Sequence, residues 1–243
     1  MDAATARRLI KLNHQFYQTF GADFSATRGR VQPGVQRVLA DLNGTERILD
    51  IGCGNGNLAR ELAKRGHRGP YLGLDFSLTL LQAAESSPDV FPAKFKQGDI
   101  TSADWDMDLS RSSFEVVYAF AVLHHIPGEE TCLRLLGKVY RLLEPGGRFI
   151  LSNWQFLNSD RLRARIQSWD KVDLPPSQVD ADDYLLDWRS GGQGLRYVHN
   201  FSEAALISLA AKTKFRVVDS FYSDGQNRKL GLYQIWEKNT SSS

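Results

Sequence analysis

A glycine-rich segment followed by an isolated aspartate holds the residues that could most directly do chemistry. The segment Asp50-Ile51-Gly52-Cys53-Gly54-Asn55-Gly56 comes directly after the apolar run Ile48-Leu49, and apolar residues at helical spacing follow it. Glycines between a strand and a helix let the backbone turn tightly and direct amide N–H groups at a ligand. Asp75 ends the next apolar run, where a carboxylate can accept both hydroxyls of a ribose. The pattern therefore predicts a nucleoside-binding site.

Two classes of nucleoside-binding protein differ in the spacing of this glycine loop. A dinucleotide-binding loop carries a third glycine for close packing of its helix on the strand, but here that position is Asn57, with Gly56 one place early. The segment instead resembles the first motif of the class I S-adenosylmethionine-dependent methyltransferases. The later motifs of that family are matched, in order, by Asp75-Phe76, Gly98-Asp99-Ile100, the run 114–119 leading into Leu123-His124-His125, and Leu142-Leu143-Glu144-Pro145-Gly146-Gly147.

This resemblance implies S-adenosylmethionine as the cofactor and assigns residues to it. Asp75 would bind the ribose, Phe76 would lie beside the adenine, and Asp99 would accept a hydrogen bond from the adenine amino group. The full set of predicted cofactor-binding residues is Asp50, Gly52, Gly54, Asp75, Phe76, Asp99, Ile100 and Ala119. The resemblance also implies an enzyme, and it leaves a cofactor-binding partner subunit without activity as an alternative.

Length and composition fit this interpretation without requiring it. A chain of 243 residues, 42% hydrophobic and 24% charged, is long enough for one substantial core. Cys53 and Cys132 form no disulfide framework or zinc pattern, which indicates a reducing compartment, and no apolar run reaches membrane-spanning length. We therefore expect a cytoplasmic protein with no metal site and no membrane contact. The net charge of +2 does not by itself indicate a nucleic-acid partner.

Alternating strand and helix patterns predict the fold class. Candidate strands lie at 47–51, 71–75, 93–97, 114–119, 148–153, 215–219 and 231–237, with helical patterns between most of them. This alternation is typical of an α/β fold with a doubly wound, mostly parallel sheet. The polar connection 223–229 is too short for a crossover helix, so the last strand should run antiparallel. We therefore predict the seven-stranded, Rossmann-like methyltransferase sheet within a single domain, 1–243.

Two segments lie outside this core pattern and should act as caps. The first, 1–42, begins with apolar residues on one helical face. The second, 154–200, is inserted after the fifth strand, and its aromatic content argues against disorder. Apolar residues at helical spacing predict a helix near 160–170 within it. Since ligands bind at the carboxyl ends of strands in open α/β sheets, we expect the insertion to roof the substrate side.

Both flanking segments resemble one methyltransferase subfamily, the tRNA wobble-uridine enzymes that esterify 5-carboxymethyluridine. The resemblance rests on Asn13-His14-Gln15-Phe16-Tyr17 and Phe24-Ser25-Ala26-Thr27-Arg28, and on Asp183-Tyr184-Leu185-Leu186 and Arg196-Tyr197-Val198-His199-Asn200-Phe201. The chain departs from that subfamily where Gln32 replaces a tryptophan before a proline and where Asn57 replaces a lysine. The resemblance implies tRNA as the substrate, with a small-molecule acceptor as the alternative. As in eukaryotic relatives, a small zinc-binding activator protein is a candidate partner.

The chemistry of a carboxylate acceptor sets what the remaining residues must do. A carboxylate is ionised at neutral pH, so methyl transfer to it needs orientation and no general base. The predicted catalytic residues are Arg28, whose guanidinium would orient the carboxylate through two hydrogen bonds, and His124 after the fourth strand. His124 would act as a base if the acceptor were an amine, a phenol or a carbon. The predicted substrate-binding residues are Tyr17, Arg28, Trp154, Arg196 and His199.

Overall fold

The computed structural model describes residues 1–26, 29–86 and 92–240. The helices are α1 Ala3–Ala26, α2 Pro33–Leu39, α3 Asn57–Lys64, α4 Leu78–Glu85, α5 Glu129–Leu142, α6 Asp160–Arg163 and α7 Glu203–Lys212. The strands are β1 Ile48–Ile51, β2 Tyr71–Asp75, β3 Ala93–Gln97, β4 Phe114–Phe120, β5 Leu143–Trp154, β6 Ile166–Gln167, β7 Asp183–Trp188, β8 Gly194–His199, β9 Phe215–Ser223 and β10 Gly231–Lys238. All seven predicted strands are present among them; 71–75 and 93–97 have the predicted bounds, and the other five differ at their ends.

The central sheet has seven strands in the order β3-β2-β1-β4-β5-β10-β9. Strands β1 to β5 run parallel, and β10 runs antiparallel to both of its neighbours, β5 and β9. Alternate residues of β1 point to opposite faces, so Leu49 packs with residues of α5 and α7, whereas Ile48 packs with residues of α2 and α3. The sheet is therefore covered by helices on both faces, which confirms the predicted doubly wound α/β fold with an antiparallel last strand.

Local chemistry explains where several helices begin. The hydroxyl of Ser77 accepts from the amide of Leu80 and starts α4, and Ser202 does the same for Ala205 at 3.1 Å to start α7. Helix α3 begins directly from the glycine loop, because its N-cap Gly56 has a φ of +76°. Within the described segments, no helix is long and apolar enough to cross a membrane.

The insertion after β5 contains a small antiparallel sheet in the order β6-β7-β8. Helix α1 lies against β8, and Asn13 joins them, since its side-chain oxygen accepts from the amide of Tyr197 at 2.8 Å. The helix predicted near 160–170 is wrong: α6 has four residues and is followed by β6 and a 3-10 turn at Trp169–Val172. The apolar residues there serve two clusters, because Ile166 packs with Leu186 of the small sheet and Trp169 packs toward α1.

Candidate active site

A cavity of about 430 Å³ lies at the carboxyl ends of the parallel strands. Residues that follow β1, β2, β3 and β4 form one side of it. Helix α1 contributes Tyr17 to the opposite side, and the insertion contributes Trp154 and Arg196. Open α/β sheets bind ligands in this position. Both segments expected to cap the sheet thus supply walls of the cavity.

The glycine loop turns after β1 in a conformation that requires glycine. Gly52 and Gly54 have φ values of +73° and +56°, a region that costs other residues about 1–2 kcal/mol. The amides of Gly52 and Cys53 donate to the carbonyl of Leu74 at 2.7 and 3.0 Å, which ties the loop to β2. A Cβ at Gly52 would lie 2.4 Å from Val122, whereas a Cβ at Gly54 would meet no atom within 4 Å. Space for a ligand therefore lies directly beside Gly54.

Asp75, at the end of β2, binds the glycine loop through its carboxylate. Oδ2 accepts from the amide of Gly54 at 2.9 Å, and Oδ1 accepts from the amide of Ser77 at 2.9 Å. Burial raises the pKa of Asp75, although these amide contacts oppose the increase. A carboxylate has about four acceptor positions, so about two remain for the hydroxyls of a ligand. The residue therefore fits the ribose of S-adenosylmethionine.

Asp50 is enclosed beneath the loop and is 3% exposed. The hydroxyl of Tyr71 donates to its Oδ2 at 2.6 Å. Burial raises the pKa of Asp50 to about 7; the hydrogen bond from Tyr71 opposes this increase, and the charge of Asp75 adds to it. Since a nearby cation favours the ionised form of a carboxylate, a positively charged ligand would promote loss of this proton.

Residues after β2 and β3 form the far end of the same cavity. Phe76, Asp99 and Ile100 all line it. Oδ1 of Asp99 accepts from both the amide and the hydroxyl of Thr101, at 2.9 and 2.6 Å. His14 of α1 reaches this end, where its ring stacks on Phe76 with 4.4 Å between ring centroids. The predicted adenine-binding residues therefore lie together, with α1 beside them.

Two adjacent histidines after β4 line the cavity and have different partners. Nδ1 of His125 lies 3.1 Å from the carbonyl oxygen of Tyr197, which can only accept, so this nitrogen carries the proton. Its Nε2 then accepts from the hydroxyl of Tyr17 at 2.9 Å. Nδ1 of His124 accepts from the amide of Trp154 at 3.3 Å, so the neutral ring carries its proton on Nε2. In the neutral form of each ring, the nitrogen lone pair is thus already engaged.

Arg196, on β8, places its guanidinium among aromatic rings. The residue is 5% exposed, and its guanidinium carbon lies 4.9 Å from the ring of Trp154, 5.3 Å from Phe16 and 5.6 Å from Trp188. Within residues 1–26, 29–86 and 92–240, the guanidinium forms no ion pair or hydrogen bond. The cavity is therefore lined by a buried cation that has no anionic partner in the described part of the chain.

Eleven of the predicted site residues line the cavity. They are Tyr17, Asp50, Gly52, Gly54, Asp75, Phe76, Asp99, Ile100, His124, Trp154 and Arg196. His199 does not; it pairs with Asp183 at 2.7 Å beside a second, smaller cavity, so its predicted contact with substrate has no support in this geometry. Ala119 is 1% exposed and packs in the core behind the cavity. Arg28 lies outside the described residues.

Asn13, His14 and His125 are among the residues of the cavity wall that were not selected from the sequence. The side-chain amide of Asn13 donates to the carbonyls of His125 and Tyr197 at 3.2 and 3.1 Å, which joins α1 to the turn after β4 and to β8. The available signal was helical spacing, since His14 precedes Tyr17 by three residues and shares its face of α1.

Comparisons with known proteins identify the family of this chain. A family model described as a methyltransferase domain matches residues 42–191. The chain therefore belongs to the methyltransferase domain family. It is an S-adenosylmethionine-dependent methyltransferase, and S-adenosylmethionine is its cofactor.

The relatives differ in how much of their length this chain spans. A protein of Encephalitozoon cuniculi named as a methyltransferase is 28% identical over 209 residues, which is 85% of this chain and 88% of that protein. The tRNA (carboxymethyluridine(34)-5-O)-methyltransferase of Mus musculus is 28% identical over 182 residues, which is 72% of this chain but 25% of that protein. This chain thus matches a quarter of the mouse enzyme.

Solved structures share the fold. A SAM-dependent methyltransferase from Methanosarcina mazei superposes with a TM-score of 0.67 at 24% identity, covering 87% of this chain and 100% of that chain. The Haloferax volcanii protein solved in complex with the Trm112 methyltransferase activator superposes with a TM-score of 0.68 at 15% identity, covering 93% and 97%.

Proposed function

We propose that this methyltransferase acts on a carboxylate, that of the 5-carboxymethyl group of a wobble uridine in tRNA. The observation that carries the proposal is the buried guanidinium of Arg196 on the cavity wall. Burying an unpaired charge costs several kcal/mol, and the aromatic rings around Arg196 supply cation–π attraction but no hydrogen-bond acceptor for its N–H groups. A carboxylate bound in the cavity would supply the missing partner, through two parallel hydrogen bonds from the planar guanidinium.

The histidine geometry favours an acceptor that needs no general base. In His125, Nδ1 donates to a carbonyl and Nε2 accepts from Tyr17. In His124, the lone pair of Nδ1 is used by the amide of Trp154. A neutral amine, phenol or carbon acceptor would require a positioned base, whereas a carboxylate is ionised already. His124 then serves as a positioning donor rather than as a base.

Residues at different positions in the cavity have different roles. Asp75 binds the ribose, Asp99 accepts from the adenine amino group, and Asp50 balances the positive charge of the cofactor. When bound, S-adenosylmethionine supplies a methyl carbon to which the carboxylate oxygen bonds as the carbon–sulfur bond breaks, giving a methyl ester and S-adenosylhomocysteine without any proton transfer. Arg196, together with Arg28, holds the carboxylate in line for this displacement.

The choice of tRNA is supported by a relative and by charge at the cavity. The mouse relative is named as a methyltransferase of carboxymethyluridine at position 34 of tRNA. Arg30 and Arg161 are exposed residues on the cavity wall, and neither pairs with a carboxylate in the described ranges. Exposed arginines beside a substrate cavity suit the phosphates of a nucleic acid. The Haloferax volcanii neighbour supports a further part of the proposal, that a Trm112-type activator binds this chain.

Transfer of a labelled methyl group tests the proposal. The protein is incubated with tritium-labelled S-adenosylmethionine and either bulk tRNA or a small-molecule extract, with and without a Trm112-type activator. We expect label in tRNA that alkali releases, because methyl esters hydrolyse in base. Label confined to small molecules would contradict the tRNA substrate, and alkali-stable label would contradict the carboxylate.

A pair of variants tests the part played by Arg196. Arg196→Lys keeps the charge but loses the planar fork, so turnover should fall at least tenfold while S-adenosylhomocysteine binding stays unchanged. Arg216→Lys is the matched control, since Arg216 lies on β9 and pairs there with Glu237. Equal turnover in the two variants would contradict the carboxylate-binding role of Arg196.

A further inference from the structure

His14 connects helix α1 to the end of the cavity where the adenine is proposed to bind. Its ring stacks on Phe76 with an interplanar angle of 28°, and Nε2 lies 3.6 Å from Oδ2 of Asp99. All three side chains line the cavity. His14 is partly buried, and 26% of its side chain is exposed. Its imidazole therefore lies against both groups that the sequence assigns to the adenine.

The two oxygens of Asp99 have separate environments. Oδ1 accepts two hydrogen bonds from Thr101, so its lone pairs are used. Oδ2 faces His14 and can accept one more donor besides. Burial alone would raise the pKa of Asp99, but the contacts with His14 and Thr101 outweigh it and hold the pKa below its ordinary value. Asp99 is thus an ionised carboxylate with one oxygen fixed by Thr101 and the other in contact with His14.

We propose that His14 is a positioning residue for cofactor recognition: its imidazole orients Oδ2 of Asp99 so that this oxygen accepts from the exocyclic amino group of the adenine. The inference rests on the proposed contact between Asp99 and the adenine. Stacking on Phe76 sets the plane of the imidazole, and the contact of Nε2 with Oδ2 at 3.6 Å leaves another acceptor position of that oxygen for the ligand. His14 acts through Asp99 and does not touch the reacting atoms.

The same helix also reaches the acceptor side of the cavity. Asn13 donates to the carbonyls of His125 and Tyr197, and Tyr17 donates to Nε2 of His125. Asn13 and Tyr17 hold α1 against the turn after β4 and against β8. Because His14 lies on the same helix, these contacts also fix the position of His14. Recognition of the adenine amino group therefore depends on the correct docking of α1, which also borders the substrate.

The experiment compares two ligands that differ at the amino group. Calorimetry measures the Kd of S-adenosylhomocysteine and of S-inosylhomocysteine, which carries a carbonyl oxygen in place of that group, for the full-length protein. A hydrogen bond to a charged group contributes enough for the wild type to prefer S-adenosylhomocysteine by about tenfold or more. His14→Ala should lower this preference at least threefold, and His14→Gln, which retains a side-chain N–H donor, should restore part of it.

Controls separate the possible failures. Gln15→Ala changes an exposed neighbour on α1 and should leave the preference intact. If His14→Ala weakens both ligands equally, the residue is only structural and the inference is overturned. If Asp99→Asn leaves the preference intact, the contact between Asp99 and the adenine is itself wrong, and the inference falls with it. Loss of preference in Asp99→Asn but not in His14→Ala overturns the role of His14 alone.

Discussion

A single methyl group added to the glycine loop should separate cofactor binding from folding. Gly54 has a φ of +56°, lines the cavity, and has no atom within 4 Å of the position that a Cβ would take. Gly66, after α3, has a φ of +77° and equally open surroundings, but it lies away from the cavity. Gly54→Ala and Gly66→Ala therefore each place alanine at a positive φ, one beside the cavity and one away from it.

The expected magnitudes follow from these two environments. Both variants should lose about 1–2 kcal/mol of folding free energy, because left-handed backbone is strained for alanine. For a chain of this size, that corresponds to a fall in Tm of roughly 2–8 °C in each variant. Only the Cβ of Gly54→Ala enters ligand space. Forcing a methyl group into a filled site costs about 1–3 kcal/mol, so the affinity for S-adenosylhomocysteine should fall by roughly 5- to 150-fold.

Thermal unfolding and calorimetry on both variants provide the assay. The reasoning predicts similar Tm values for Gly54→Ala and Gly66→Ala, and weak cofactor binding for the first alone. Wild-type affinity in Gly54→Ala, with a Tm matching that of Gly66→Ala, would refute it, since the open space beside Gly54 would then not be cofactor space. Equal loss of affinity in both variants would refute it as well, because the loss would then reflect general destabilisation.

Three other predictions concern the charge of Asp50, the caps and the acceptor. The pKa of Asp50 is about 7 in the fold against an ordinary 3.8, so its protonated form contributes stability below about pH 4, and that contribution, at most about 4 kcal/mol, is lost as pH rises through 7. Asp50→Asn should therefore raise Tm at about pH 8 and not at about pH 4, and it should lower the affinity for S-adenosylmethionine. An unchanged Tm at pH 8 would contradict this. Residues 1–28 and 154–200 should gain protection in hydrogen exchange when cofactor and acceptor bind, and protection confined to the strand ends would exclude a cap. Arg28→Lys should lower turnover with cofactor affinity nearly unchanged and a pH–rate profile flat from about pH 6 to 8; full activity, or a histidine-like pKa in the profile that His124→Ala abolishes, would rule out the carboxylate acceptor.

The cofactor half of the site could be predicted because its residues are local in sequence. The glycine loop and Asp99 follow strands, Asp75 ends one, and the carboxyl ends of parallel strands meet at one edge of the sheet. The spacing of the glycines then distinguished the class of ligand. Ala119 shows the limit of this reasoning, because it is adjacent to cavity residues but points into the core.

The acceptor half could not be predicted to the same depth, because it is assembled from distant segments. Arg196 and Trp188 come from the insertion and Phe16 from α1, and nothing in their spacing shows that the three side chains meet. Which of two adjacent histidines binds Tyr17 depends on backbone direction after β4, and helical spacing failed within the insertion because α6 ends after four residues.

The buried charged groups around the cavity destabilise the fold when no ligand is bound, and their signs indicate which reactant suits each end. Asp50 and Asp75 are buried carboxylates whose pKa values are raised by burial, and both lie at the cofactor end. Arg196 is a buried guanidinium without an anionic partner in the described residues, and it lies on the wall built by the insertion. A cationic methyl donor relieves the cost at the first end, and an anionic acceptor relieves it at the second. We therefore propose that opposite charges bind the two reactants, with the carboxylate and the methyl carbon on facing sides of one cavity.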